Sequence, residues 1–177
     1  VHIETAPFTD APVLTASLSG GSFATRRLML EGSSGALANG WNLYGRYSRV
    51  ETDGYREQSW SRLWSYALSA RRTAGAHVFQ LNAYGGPEET HLAYLGVPRS
   101  TLDGGLSGDA DRDRRTNPLS YEGEHDHFFE PHYEAIHTWA PRAGLTLTST
   151  AFWFDGRGYY DERRLGRALA DYRLPAI

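Results

Sequence analysis

The stretch Ser59-Trp60-Ser61-Arg62-Leu63-Trp64-Ser65-Tyr66-Ala67-Leu68-Ser69-Ala70-Arg71 decides the fold. Counted in twos, Trp60, Trp64, Tyr66, Leu68 and Ala70 share one side, while Ser59, Ser61, Ser65, Ala67, Ser69 and Arg71 share the other. A period of two marks a strand with one apolar and one polar face, because successive side chains leave a pleated backbone in opposite directions. One residue breaks the pattern: Arg62 puts a charge on the aromatic side.

The same alternation recurs on both sides of this stretch. It runs through Leu14, Ala16 and Leu18, then Leu28 and Leu30, then Trp41 to Ser48, Phe79 to Ala83, Tyr133 to Trp139, and Leu145 to Trp153, whose other face reads Thr146, Thr148, Thr150. About seven strands result, most of them longer than the ~5–6 residues usual in globular proteins. Short Gly-marked turns fall at Gly32 to Asn39, Thr73 to Ala76 and Pro141 to Gly144. Longer connections fall at Thr52 to Arg56, at Gly96 to Glu124, and from Asp155 onward. Short turns at one end and long loops at the other predict an antiparallel up-and-down meander that carries its function at the looped end. Leu165, Ala168, Leu169 and Tyr172, at helical spacing, predict a short helix near the end of the chain.

Composition removes several function classes. The 177 residues carry a net charge of −3, and all 18 basic residues are Arg, so bulk charge argues against a nucleic-acid partner. With no Cys, a disulfide scaffold, a thiolate nucleophile and a Cys-bound metal are excluded. No apolar run reaches eighteen residues, and no basic-then-apolar signal segment opens the sequence.

A two-faced antiparallel sheet has two ordinary homes. In a soluble sandwich the apolar faces meet each other; in an outer-membrane barrel they meet lipid and the polar faces line the lumen. Three features favour the membrane. The polar faces are rich in Ser, Thr, Asn, Gln and Tyr. Trp41, Trp60, Trp64, Trp139 and Trp153 lie near strand ends, where an aromatic girdle would sit. The strands reach or exceed the ~9–11 residues that cross a bilayer at a tilt. The barrel requires Arg62 to stand outside the membrane, because a lipid-facing charge costs about 2–4 kcal/mol at the midplane and about 0–1 near the interface. In the sandwich, a carbohydrate-binding or other ligand-binding module, Trp60 and Trp64 would instead form a sugar platform.

Three motifs in register resemble one family. Tyr47-Ser48-Arg49-Val50-Glu51-Thr52-Asp53-Gly54-Tyr55-Arg56-Glu57-Gln58-Ser59 resembles the second outer loop of TonB-dependent outer-membrane receptors. Asn117-Pro118-Leu119-Ser120-Tyr121, continuing through Glu124-His125-Asp126-His127-Phe128 to Pro131-His132-Tyr133, is similar to the third loop and following strand of the ferric-citrate-receptor-like branch. Gly156-Arg157-Gly158-Tyr159-Tyr160-Asp161-Glu162 looks like that branch's motif after the seventh strand. Where relatives carry Asp-Asn-Tyr, this chain has Asp126-His127-Phe128, so the ligand's identity is not carried over.

The resemblance implies a barrel of about twenty-two strands around an N-terminal plug. Such a receptor sits in the outer membrane of a Gram-negative bacterium, binds a scarce solute such as a ferric chelate at its outer loops, and imports it when TonB pulls on the plug. Residues 1–10 would end the plug and link it to the barrel; 11–177 would be its first strands, roughly a third of it. No enzymatic chemistry and no resident cofactor are implied; the partners are lipid, the TonB complex and the chelate.

Iron chelates are often anionic, and Arg holds carboxylates bidentately. The candidate ligand-binding residues are therefore Tyr55, Arg56, Arg112, Arg114, Arg115, Tyr121, His125 and His127. His125-Asp126-His127 would put two imidazoles on one side of a strand, but no complete ligand set accompanies them, so they read as loop residues and no metal site is expected. Asp109, Asp111 and Asp113 alternate as in a calcium loop, yet Arg114 stands where that loop needs Gly, so the segment reads as a solvated loop. No Ser, His or Asp falls in a nucleophile-elbow pattern.

Overall fold

A computed structural model describes residues 8–175; His2-Ile3-Glu4-Thr5, read above as the end of a plug, lies outside them. The chain forms one antiparallel sheet. Its first four strands are β1 (Val13–Gly20), β2 (Arg26–Ser33), β3 (Trp41–Thr52) and β4 (Ser61–Ala74). Next come β5 (His77–Gly85), β6 (Glu88–His91), β7 (His125–Phe129), β8 (His132–Arg142), β9 (Leu145–Phe154) and β10 (Arg157–Tyr160). The hydrogen-bonded order β1-β2-β3-β4-β5-β8-β9 is an open meander.

The ten strands are seven paths across the sheet. β6 continues the line of β5 beyond Gly86-Pro87, β8 continues that of β7 beyond Glu130-Pro131, and β10 continues that of β9 beyond Asp155-Gly156. Register survives these gaps. Tyr84 pairs with His132 and Glu88 with Phe128, leaving three residues on each strand between the paired positions. Two of the gaps hold a Pro, which has no N–H to give the ladder. Gly86 is required there: a Cβ would stand 2.5 Å from the Trp64 carbonyl oxygen.

Short turns and long loops separate as expected, except that the short turn at residues 21–25 lies at the looped end beside Thr52 and Asp53. Ala74 pairs with His77 across Gly75-Ala76, with Gly75 at φ +59°, a conformation that suits the twist of a two-residue hairpin loop. At the other end lie residues 53–60, 92–124 and 161–175.

Three sequence readings are corrected. His125–Phe129, read as loop, is strand β7, held between β6 and β10. The Gly96 to Glu124 segment contains two helical turns, α1 (Arg99–Leu102) and α2 (Ala110–Asp113). The helix expected from Leu165 to Tyr172 is a single 3-10 turn at Leu169–Tyr172, because the Gly166 backbone sits at φ +69° and interrupts it.

Burial is inverted relative to an ordinary core. On the apolar face Leu43, Leu68 and Leu81 are 45%, 55% and 58% exposed, while Ser69 and Asn82 on the polar face are 8% and 5% exposed. Among the described residues the buried apolar side chains are Leu92 and Leu119, which lie in the long loop rather than against the sheet.

Candidate functional site

The pleat assembles the polar face from every second residue. The Tyr44 hydroxyl donates to Glu31 Oε2 at 3.1 Å. Asn82 Nδ2 and the Tyr84 hydroxyl donate to the two oxygens of Glu134 at 2.9 and 3.1 Å, and Ser69 Oγ donates to Asn82 Oδ1 at 2.8 Å. These side chains fill one another's hydrogen-bonding capacity, which is why so polar a surface tolerates burial. Arg46 Nε, on the same face, is buried with no hydrogen-bond partner among the described residues. None of this network was singled out from sequence, although its members occupy the polar positions of the alternation.

At the looped end, residues 53–60 are tied to both ends of the long loop. Arg56 Nε donates to the Thr116 carbonyl at 2.9 Å, and Nη1 donates to the carbonyls of Ala93 and Leu95, each at 2.8 Å. The Glu57 amide donates to the Arg115 carbonyl at 2.7 Å, and Arg115 Nε returns to the Tyr55 carbonyl at 3.3 Å. Asn117 is buried beneath them. Its Nδ2 donates to the carbonyls of Leu92 and Gln58 at 3.0 and 3.2 Å, and its Oδ1 accepts from the Leu119 amide at 3.1 Å. Glu124 joins the third segment: its carboxylate accepts from the amides of Tyr121 and Arg163 at 3.0 and 3.2 Å, while the Arg163 guanidinium lies 5.1 Å from the Tyr121 ring centre.

The three aspartates of the charged run do separate jobs. Asp109 caps α2, its Oδ1 accepting from the amides of Asp111 and Arg112 at 2.9 and 3.2 Å. Asp111 pairs with Arg114 at 3.4 Å. Asp113 is buried and accepts from the Ser107 hydroxyl and from the amides of Ser107 and Leu106, at 3.0 and 2.8 Å. Those hydrogen bonds, the Ser107 hydroxyl first, hold its carboxyl below the usual carboxylate range.

The sequence candidates therefore divide. Arg56 gives its Nε and Nη1 to loop carbonyls, and its Nη2 is buried with no partner among the described residues. Tyr55, Arg112, Arg114, Arg115 and Tyr121 remain exposed at the loop surface, Tyr55 edge-on to Phe23 at 5.5 Å. His125 and His127 stand on the side of the sheet continuous with the apolar face. His125 lies 5.1 Å from Trp60 and His127 4.7 Å from Tyr159, whereas Asp126 points to the polar side. Among the described residues no group of three or more His, Cys, Asp or Glu could hold a metal ion. Trp60 precedes β4 and lies one row beyond Arg62, whose guanidinium sits 4.7 Å from its ring centre. Of the other Trp residues, Trp64 stands toward the loops, Trp153 shares a row with Leu68 within the apolar face, and Trp41 and Trp139 stand toward the short turns.

Comparison with family models, with curated proteins and with solved structures gave no match. The described residues define an all-β protein with an open antiparallel meander, a hydrogen-bonded polar face and a fastened cluster of loops at one end.

Proposed function

We propose that this chain is a segment of a transmembrane β-barrel in the outer membrane of a Gram-negative bacterium. Its work is that of a TonB-dependent receptor importing a ferric chelate or a similar scarce solute. The observation that carries the reading is the inverted burial. A face of Leu, Ala, Gly and aromatic residues stands open while the polar face is closed by its own hydrogen bonds, which is the distribution a sheet needs when its outside meets lipid and its inside a hydrated lumen.

Dimensions support it. On β4, ten residues separate Ala74, at the level of His77 and Trp139, from Trp64. At ~3.3 Å per residue that is about 33 Å along the strand, or about 25 Å of height at a ~40° tilt, matching the ~25 Å apolar band of such barrels. Between those levels the outward positions of β4 are Tyr66, Leu68, Ala70 and Arg72, and Arg72 lies at the rim beside Trp41, 5.6 Å from its ring centre. Arg62 stands beyond Trp64, where β4 still pairs with β3 and β6, so the sheet continues past the apolar band. Tyr55, Arg112, Arg114, Arg115 and Tyr121 would meet the chelate at the loop surface, with Arg56 holding that surface together.

The test is cell fractionation of the full-length protein followed by uptake of radioactive iron as ferric citrate, with and without TonB. Recovery with the outer membrane and TonB-dependent uptake support the proposal. A protein that is soluble without detergent overturns it in favour of a carbohydrate-binding sandwich, with Trp60 and Trp64 as the sugar platform.

A further inference from the structure

On the outward side of β2, β3 and β4, immediately above the apolar band, three arginines converge. Arg26 pairs with Glu51 and Glu51 with Arg62, so two arginines flank one carboxylate in a single row. Arg49 stands one row below, opposite Trp64. Glu51 is claimed by Arg49, with which it forms an ion pair. The remaining carboxylate of the row is Glu89, opposite Arg62. Among the described residues neither Arg26 nor Arg62 forms an ion pair, and both are exposed. Arg62 rests on the face of Trp60, which fixes the plane of its guanidinium and leaves the N–H groups at its edge free to donate.

The surface around them has two parts. An upper depression of about 520 Å³ is lined by Arg26, Arg49 and Arg62 together with the carboxylates of Glu51 and Asp53. A lower one of about 360 Å³ is lined by Tyr47, Leu63, Trp64 and Pro87 with the carboxylate of Glu89, and shares Arg49 and Arg62 with the first. A ligand filling both carries a compact anion above and an apolar chain below.

We propose that Arg26, Arg49 and Arg62 hold the phosphorylated head group of a lipid whose acyl chain descends over Tyr47 and Trp64 onto the apolar face. The inference rests on the membrane reading and names a lipid that this face selects. Phosphate suits the site because its oxygens take paired N–H donors from several guanidinium groups at once. The apolar surface directly below makes the occupant an amphiphile rather than a free anion. The loop arginines serve a different ligand on a different surface.

Native mass spectrometry of the full-length protein, released from neutral detergent containing equal phosphatidic acid and phosphatidylcholine, tests this. The wild type is expected to retain phosphatidic acid in preference. Arg26→Gln with Arg62→Gln should lower that preference about fivefold for each arginine lost. Arg62→Lys should keep most of it, and Arg99→Gln, on α1, should leave it unchanged. Equal retention of both lipids by the wild type overturns the inference and leaves the membrane reading standing. Release of phosphatidic acid by millimolar inorganic phosphate overturns the choice of a lipid. Retention of neither lipid, by a protein that stays soluble without detergent, removes both readings together.

Discussion

Leu81→Arg is the sharpest perturbation of the apolar face. Leu81 lies in the row Leu43, Ala70, Leu81, Ala135, Ala151. On β4 that row is four residues from Ala74 and six from Trp64. Along the strand these are about 13 Å and 20 Å, or about 10 Å and 15 Å of membrane depth at a ~40° tilt. A charge there is near the midplane and should destabilise the folded protein by about 2–4 kcal/mol. Leu28→Arg supplies the control. It pairs with Arg49, itself opposite Trp64, at the rim, where the same charge should cost about 0–1 kcal/mol. Both are measured on the full-length protein by equilibrium folding into phospholipid vesicles, titrated with guanidinium chloride and followed by tryptophan fluorescence. The depth difference is the decisive quantity. Equal costs at Leu81 and Leu28, or no cost at Leu81, would refute the reasoning, since a water-facing surface accepts Arg at either level.

Arg56→Ala should free the long loop, at a cost of about 2–3 kcal/mol for carbonyls left without their charged donor. Limited trypsin digestion between residues 92 and 124 reads the effect, and unchanged protection would count against the staple. Gly86→Val should lower folding yield in vesicles by crowding the Trp64 carbonyl, whereas Gly75→Ala, whose Cβ meets open space, should act only through its φ of +59°. Asp113 gives a pH dependence. Its folded carboxyl titrates below its unfolded value, so its contribution is complete above the usual carboxylate range and is lost as pH falls through the lowered value. Hydrogen exchange at the Leu106 and Ser107 amides should accelerate below about pH 4. In Asp113→Asn it should be fast at neutral pH as well; slow exchange in that variant would remove Asp113 as the cause.

Legibility from sequence followed the range of the interactions. The seven paths were readable because alternation is a property of the backbone, visible in Trp64, Tyr66, Leu68 and Ala70 without any knowledge of the neighbouring strand. Arg62 was readable as a charge that had to lie beyond Trp64, for the same reason. The role of Arg56 was not. An arginine in a loop beside Tyr55 looks like a ligand group, and its carbonyl partners are 37, 39 and 60 residues further along the chain. His125–Phe129 was hidden as a strand because five residues show too little alternation by themselves and depend on pairing with β6 and β10. The three aspartates of the charged run were read together as one solvated loop, and only the fold shows that one caps a helix and another anchors Ser107.

The aligned gaps at Gly86-Pro87, Glu130-Pro131 and Asp155-Gly156 give the sheet a mechanical property. Cross-strand bonds at that level are stretched, at 3.5 Å from the Trp64 amide to Pro87 and 3.4 Å from the Asp155 amide to Pro131. β3 and β4 run through the same level unbroken. Bending stiffness therefore drops along one line on three paths and stays high beside it. The tip made of β6, β7 and β10 is therefore joined to the strands below it across a weakened line and held in place by its pairing with β4.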